Sequence, residues 1–582
     1  MVVKIDARKP IYSEPAQCQD CYKCIRECPV KAIRVSNNQA SIVPDLCIVC
    51  GHCASVCPSG AKRVRDDVSI LRNLLAQRAP VIVSLAPSFA SEFAGVLVGS
   101  LIHAIKELGF HAVSETALGA QEVSARVAMD VDASVRGRLF LSSACPVAVE
   151  LIGKYLPEHA HQITQVLSPL LSHCRLLKKH YGQDAKIVFF GPCIAKKLEA
   201  EAHPELLSAA LTFEDLRGLF ADIGIDPREC VGSSNDVFEP CQAAEGALYP
   251  IEGGMLDATR VHSRSQDVRF MSLSGIVEID KALRGSDLRD LDRSVFLELL
   301  ACEGGCVNGP KASARSAVLS RLSVLDFAHF ADAEYPRSPE IEVADSPSIA
   351  AVETPSFDDD AIAATLRSVG KHSESDELNC GGCGYHSCRE LAAAILSGKA
   401  EISMCVSYMR DLAHKKANAI LRTVPYATVL VGEALDIIEC NGEFVRLGGE
   451  DIVQLAEAAP DLAGVRVSAV VPFIDLFEQV LRTGEDIIRK YIRIDETVLS
   501  VTIFTLEPHR VVGAIMIDVT NTELRREQIV EKAQLVIQNM LHNVQDIAFR
   551  LGKSSAESEI ILDSIIDGFS PTHYERTKDD GS

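Results

Sequence analysis

Long apolar runs are missing from this 582-residue chain: no uninterrupted stretch approaches the 18 residues that a membrane-spanning helix needs. Nor does the sequence open on a charged-then-apolar leader or a twin-arginine signal, so a cytoplasmic location is expected. Basic charge is also in short supply. Lys and Arg number 58 against 80 Asp and Glu, a formal net charge of −22, which argues against nucleic acid and against anionic membrane surfaces as partners. With 47% hydrophobic and 24% charged residues the composition is that of an ordinary folded protein, and the length calls for several domains. Cysteine, by contrast, is plentiful, at 20 residues. A reducing compartment favours metal-bound thiolates over disulfides, and spacing decides what those thiolates hold.

Two groups form a tandem repeat. Cys18, Cys21, Cys24 and Cys28 before Pro29, then Cys47, Cys50, Cys53 and Cys57 before Pro58, both read C-x2-C-x2-C-x3-C-P. Zinc sites separate their C-x-x-C knuckles by a longer loop, whereas three thiolates this close suit one face of a 4Fe-4S cubane. The run matches the bacterial two-cluster ferredoxin pattern, in which the fourth Cys serves the other cluster. Cys57 is therefore expected to complete the first cubane with Cys18, Cys21 and Cys24, and Cys28 the second with Cys47, Cys50 and Cys53.

A third group, Cys380, Cys383, Cys388 and Cys405, is spaced C-x2-C-x4-C-x16-C. Its glycines let the backbone wrap closely around a cluster. The Ala- and Leu-rich run from Arg389 to Met404 predicts a helix of about 16 residues that returns Cys405 to the loop. A third 4Fe-4S cluster is expected, with structural zinc as the alternative. The spacing resembles the small iron-sulfur domain of corrinoid iron-sulfur proteins and membrane electron-transport subunits.

Four more candidates are scattered: Cys145 in Ser142-Ser-Ala-Cys-Pro146, Cys193 in Gly191-Pro-Cys-Ile-Ala-Lys-Lys-Leu-Glu199, and Cys302 and Cys306 in Glu298-Leu-Leu-Ala-Cys-Glu-Gly-Gly-Cys-Val-Asn-Gly309. In these three motifs, in this order, the chain resembles the large subunit of FeFe hydrogenases. The resemblance implies an H-cluster: a cubane on the four thiolates, with Cys306 bridging to a two-iron subsite that carries CO, cyanide and a dithiolate. It implies that Lys196 donates a hydrogen bond to a cyanide, as an ammonium in a dry pocket does well, and that Ala86, Pro87 and Ser88 border the dithiolate.

The departures from the family pattern bear on rate. Where the family has a proton-passing Cys, this chain has Ala144, and a methyl group carries no proton. The two pocket methionines correspond to Gly191 and Leu300, the pocket glutamine to Leu170, and, on an alignment through Ala120-Gln-Glu122, a relay glutamate to Gly119. Losing a positioned acid costs about 10²–10⁴ in rate. The remaining Cys174, Cys230, Cys241 and Cys440 are expected to be small core residues.

The fold class expected is multidomain α/β. Residues 1–70 form a two-cluster ferredoxin-like domain and residues 71–340 the FeFe-hydrogenase α/β domain, in which strands such as Lys186 to Phe190 alternate with helices such as Phe213 to Phe220. Residues 341–375 read as an acidic linker with one short helix, since Ile341 to Leu378 holds nine acidic and two basic residues. Residues 376–412 are the small 4Fe-4S domain. Residues 413–520 carry a hairpin, a helical segment opened by Asn441-x-x-Phe444, and three strands closing on Gly513-Ala-Ile-Met-Ile-Asp-Val-Thr520. This order resembles a PAS α+β sensory domain. It lacks the flavin photoreceptor motif, and the one histidine between Lys415 and Thr520, His509, is expected in a turn, so a cofactor-free fold is expected.

Residues 521–582 read as a helical tail. Val530, Ala533, Ile537, Met540, Val544, Ile547 and Leu551 follow coiled-coil spacing, then Gly552 stops the helix and Ser554-x-x-Glu557 caps another. Such a seam packs on the preceding domain, makes a homodimer or docks a partner. His542 lacks the acidic neighbour of a phospho-acceptor.

Three functions compete. A sensory hydrogenase would bind or slowly turn over H2 and relay its state through the cubanes to the PAS-like domain and tail, and so to a kinase or phosphatase. A catalytic hydrogenase would exchange electrons with a redox partner such as ferredoxin, with protons and H2 as its small partners. A non-enzymatic iron-sulfur scaffold would keep the cubanes without the two-iron site. The signalling-type domains favour the first.

Overall fold

The computed structural model describes residues 9–520 apart from 78, 135, 285–290, 314, 329–334, 346–348, 354, 459–461 and 495–496, and beyond 520 only positions 536 and 540. The expected tail therefore lies outside the described residues. The chain divides into two units, Met1–Glu401 and Ile402–Ser582.

In the first unit, strand Ile11–Ser13 pairs antiparallel with Lys62–Val64, so the ends of the tandem cysteine repeat are closed on each other. Between them lies the hairpin of Ile33–Ser36 and Gln39–Ile42. Its two loop residues, Asn37 and Asn38, both take positive φ (52° and 57°), the conformation that Asn tolerates best among residues with a side chain. Each cysteine run opens a short helix, Lys23–Arg26 or His52–Val56.

Next come two parallel sheets. One has the order Ala112–Glu115, Val81–Leu85, Lys186–Gly191, Ala209–Thr212; the other has Val268–Ser274, Ser294–Leu300, Leu139–Leu141. The strand Val81–Leu85 is buried at every position, as expected of a parallel sheet covered on both faces. Helices pack around it over a core that includes Ile82, Leu101, Leu177, Phe190 and Phe213.

The segment expected as a linker is tied down. Val343 is buried, Val166 bridges Ala344, and the Val352 amide donates to the Lys154 carbonyl (2.9 Å). Its α-helix Asp359–Ser368 is capped by Asp358 and packs on helix Cys388–Leu396 through Ile362, Leu366 and Ala392. That second helix is shorter than the 16 residues expected. It ends at Ser397, because Gly398 turns the chain at φ +66°.

The second unit opens with helix Val406–Thr423. A five-stranded antiparallel sheet comes next, in the order Ile437–Cys440, Ala427–Gly432, Val511–Asp518, Thr497–Glu507, Ile487–Ile494. Asn441 caps helix Gly442–Leu447 by accepting from the Phe444 amide (3.1 Å). That helix and Ile474–Thr483 cover one face of the sheet, and Phe444 and Phe477 fill the space between.

Candidate functional site

The scattered cysteines converge because three of their motifs lie just past strands whose carboxyl ends face one crevice, where open α/β sheets place their ligands. Cys145 comes after Leu139–Leu141 and precedes helix Pro146–Tyr155, with Pro146 at the first helical position. Cys193 comes after Lys186–Gly191, and Cys302 after Ser294–Leu300. From Cys302 the chain doubles back through Gly304 and Gly305 at φ +70° and +105° to reach Cys306. A Cβ on Gly305 would stand 2.4 Å from the Pro250 carbonyl oxygen, so only glycine fits.

All four cysteines line one cavity, together with Ala86, Pro87, Ser88, Ala144, Leu170, Lys196 and Leu300. The thiols ring the space rather than meeting at a point, and among the described residues no three His, Cys, Asp or Glu side chains gather as a single ion would need. Burial pushes the Cys193 thiol up to about 11, with Lys196 pulling the other way. Burial also raises Cys306, helped by Cys145 and Cys193, and it raises Cys302. Three thiols that resist ionisation, beside a fixed ammonium, suit a polynuclear group that supplies the compensating positive charge.

Lys196 is buried and held by both oxygens of Glu199 (2.9 and 3.0 Å) and by the Ser168 hydroxyl (3.3 Å). Burial alone would lower its pKa; Glu199 and Cys193 outweigh this, and the group stays charged. Ser88 is buried on the cavity wall, and its hydroxyl has no hydrogen-bond partner among the described residues. That orphaned donor and the fixed ammonium fit an anionic group in the cavity.

Ala144 lies on the wall beside Cys145 with no proton-carrying atom. Gly191 has no space of its own, because the Phe189 ring lies 2.4 Å from where its Cβ would stand. Phe189 thus occupies the wall near a position where the family pattern has methionine. Gly119 does not border the cavity: it sits where helix Ala117–Asp132 crosses helix Pro169–Tyr181, a Cβ there meeting the Pro169 carbonyl at 2.1 Å. Phe189, Met255 and Glu298 also line the cavity, and motif reasoning assigns none of them a role. Of these only Glu298 carries a signal, as the first residue of its motif. Its carboxylate accepts from the Gly253 and Met255 amides (2.7 and 2.9 Å), and burial raises it to about 7.

In the amino-terminal repeat, Cys24 is within electrostatic reach of Cys18, Cys21 and Cys57, and burial raises it to about 11. Cys53 is within reach of Cys50, Cys47, Cys28 and Cys24. Backbone amides of Ala32, Ala40 and Val49 donate to the sulfurs of Cys28, Cys18 and Cys47 (3.3 to 3.5 Å). In the small module, Asn379 accepts from the Cys388 amide (2.7 Å) and so fixes the loop carrying Cys380 and Cys383. Cys405 belongs to the second unit, before helix Val406–Thr423. Of the four leftover cysteines, Cys174 and Cys440 are buried, but Cys241 is exposed and Cys230 partly so. Cys230 still packs against the core of the first parallel sheet, so the core expectation fails only for Cys241, which lies in an exposed loop outside helix and strand.

Comparison with known proteins matches three segments. Residues 79–310 match the family of the iron only hydrogenase large subunit, C-terminal domain; residues 10–58 match a 4Fe-4S dicluster domain; residues 376–407 match an Fe-S cluster family. Iron hydrogenase 1 of Clostridium pasteurianum is 24% identical over 307 residues, 43% of this chain and 53% of that protein. The NADP-reducing hydrogenase subunit HndD of Solidesulfovibrio fructosivorans is 23% identical over 334 residues, 47% and 56% of the two chains. This chain spans about half the length of these relatives. A solved FeFe hydrogenase variant from Chlamydomonas reinhardtii is 18% identical, covering 49% of this chain and 93% of that one at a TM-score of 0.34. No helix among the described residues is long and apolar enough to cross a membrane.

Proposed function

We propose that this protein, a hydrogenase-like iron-sulfur protein of the FeFe family, is a sensory hydrogenase that binds H2 and turns it over slowly. The observation that carries this reading is a cavity ringed by four thiols, Lys196 and Ser88, whose wall has Ala144 where fast enzymes keep a donor thiol. When bound, an H-cluster supplies the reversible splitting of H2 into two protons and two electrons. Cys145, Cys193, Cys302 and Cys306 would hold it. Lys196, oriented by Glu199 and Ser168, would donate to an anionic iron ligand. Ser88 would donate toward the dithiolate, while Ala86 and Pro87 exclude water beside it. No side-chain proton carrier stands at Ala144, so proton exchange with the cavity is slow.

Three 4Fe-4S clusters complete the proposed wiring: Cys18, Cys21, Cys24 and Cys57; Cys47, Cys50, Cys53 and Cys28; and Cys380, Cys383, Cys388 and Cys405. With the H-cluster they amount to about 18 iron atoms. The sheet order of the second unit supports a PAS-like reading of residues 413–520. The tail, 521–582, is the proposed output, through a homodimer or a docked kinase or phosphatase, and a ferredoxin-class protein is the proposed redox partner. The test is H2 evolution by the matured protein under excess reductant. The native rate is expected to be slow, and Ala144→Cys should raise it modestly, because Leu170 and Leu300 also differ from the family pattern. A native rate equal to that of fast hydrogenases contradicts the proposal.

A further inference from the structure

The small iron-sulfur module is fastened to the ferredoxin-like domain at the Cys28 end. Lys31 Nζ donates to the Gly384 carbonyl (2.8 Å) and also to the carbonyls of Ile25 (3.0 Å) and Arg26 (3.1 Å), which commits all three ammonium protons. Arg26 donates to the Gly382 carbonyl (3.2 Å). Farther along, the Val35 amide donates to the Lys399 carbonyl (2.9 Å), and the Asn37 amide to Glu401 (2.7 Å). Gly384, at φ +94°, leaves no room for a side chain: a Cβ would lie 2.9 Å from Ile25 Cγ2.

Next to Gly384, Tyr385 is buried, at 4% exposure. The Tyr385 hydroxyl has no hydrogen-bond partner among the described residues, although a buried O–H ordinarily finds one. The cysteines within its electrostatic reach are Cys383 of the module and Cys28 of the repeat.

The same cysteine group borders two other sites. Cys50 is within electrostatic reach of Cys302. The adjoining Gly51 is wedged against Ile194 and Pro310, each 2.7 Å from where its Cβ would be. Lys154 and Tyr155 clamp the Cys47 and Leu46 carbonyls (2.7 and 2.6 Å). Cys53, in turn, is within reach of Cys24 of the first run.

We propose that the cubane site of Cys28, Cys47, Cys50 and Cys53 is a three-way electron junction, and that the Tyr385 hydroxyl is the hydrogen-bond donor to sulfur where it meets the Cys380–Cys383–Cys388 site. Both parts rest on the ligand sets given under the proposed function. The step is a one-electron exchange in which the junction cubane is oxidised as the module cubane is reduced, with no bond or proton changing hands. The electron comes from H2 by way of the Cys302 side, or from a low-potential one-electron donor by way of the first cubane. An O–H donated to sulfur stabilises the reduced, more negative cluster and raises its potential.

The experiment is a dithionite titration of the full-length, cluster-loaded protein monitored by electron paramagnetic resonance. In the native protein the module signal should be broadened by the reduced junction cubane beside it. Tyr385→Phe should keep the native iron content and move the module midpoint to more negative potential. Lys31→Met, which removes the fastening, should keep the module signal but narrow it. A Tyr385→Phe midpoint equal to the native one overturns the donor assignment. A native module signal already free of broadening overturns the junction. If Cys383→Ala removes neither iron nor signal, the ligand assignment beneath both falls.

Discussion

Glu115 is completely buried at the end of its strand; one carboxylate oxygen accepts from the Ala243 amide (2.9 Å), and the other has no partner among the described residues. Burial lifts it from 4.5 to about 8, against the pull of that amide. The folded state therefore holds a proton that the unfolded chain releases. Its contribution to stability is fully present below about pH 4.5 and is lost as pH rises through about 8. Glu115→Gln keeps the acceptor and removes the titration. Thermal unfolding of the native protein should fall more steeply between those limits than that of the variant, and parallel profiles would show that Glu115 ionises freely. Side chains of this kind are illegible in a sequence, because burial is set by distant segments. Twelve of the sixteen proposed ligand positions stand out because their spacing is local, whereas Cys145, Cys193, Cys302 and Cys306 are scattered and are picked out only by resemblance to a family. Cys241, without such a frame, reads as a core residue, and it is exposed.

At the scale of elements, strands and their ends are legible, whereas the extent and packing of the segments beyond them are not. Composition predicts a helix of about 16 residues after Cys388; it closes at Ser397 because Gly398 takes positive φ, a stop the Ala-rich run conceals. Residues 341–375 have a linker's composition, yet pairing with residues far away in sequence pins them along the hydrogenase-like domain. Gly119 shows the same effect. Alignment equates it with a lost relay acid, whereas the crossing of helices Ala117–Asp132 and Pro169–Tyr181 demands a glycine. Gly to Ala inside a helix usually stabilises by about 0.5–1 kcal/mol. Here the added methyl meets rigid backbone, and Gly119→Ala should instead destabilise by about 1–3 kcal/mol. Denaturant unfolding of the two proteins decides between the signs, and a more stable variant would show that the helices can part.

For the whole molecule, the proposed sensory role requires that the H2 site and the second unit share a free energy. A coupling of about 1–3 kcal/mol would shift an output equilibrium several-fold or more. Hydrogen exchange over residues 424–520 should therefore differ between protein held under H2 and protein held under an oxidant. Truncation after Val519 should leave H2 chemistry nearly intact. Identical exchange in the two states would break the link between site and output. The sensory role presupposes that the cavity would hold a two-iron subsite rather than a cubane alone. The infrared spectrum of the matured protein in the CO and cyanide stretching region tests it most directly. Bands are expected that shift between H2 and oxidant and that disappear in Cys306→Ala while the amino-terminal cubanes stay reducible. A matured native protein with no such bands would contradict this expectation and leave an iron-sulfur scaffold.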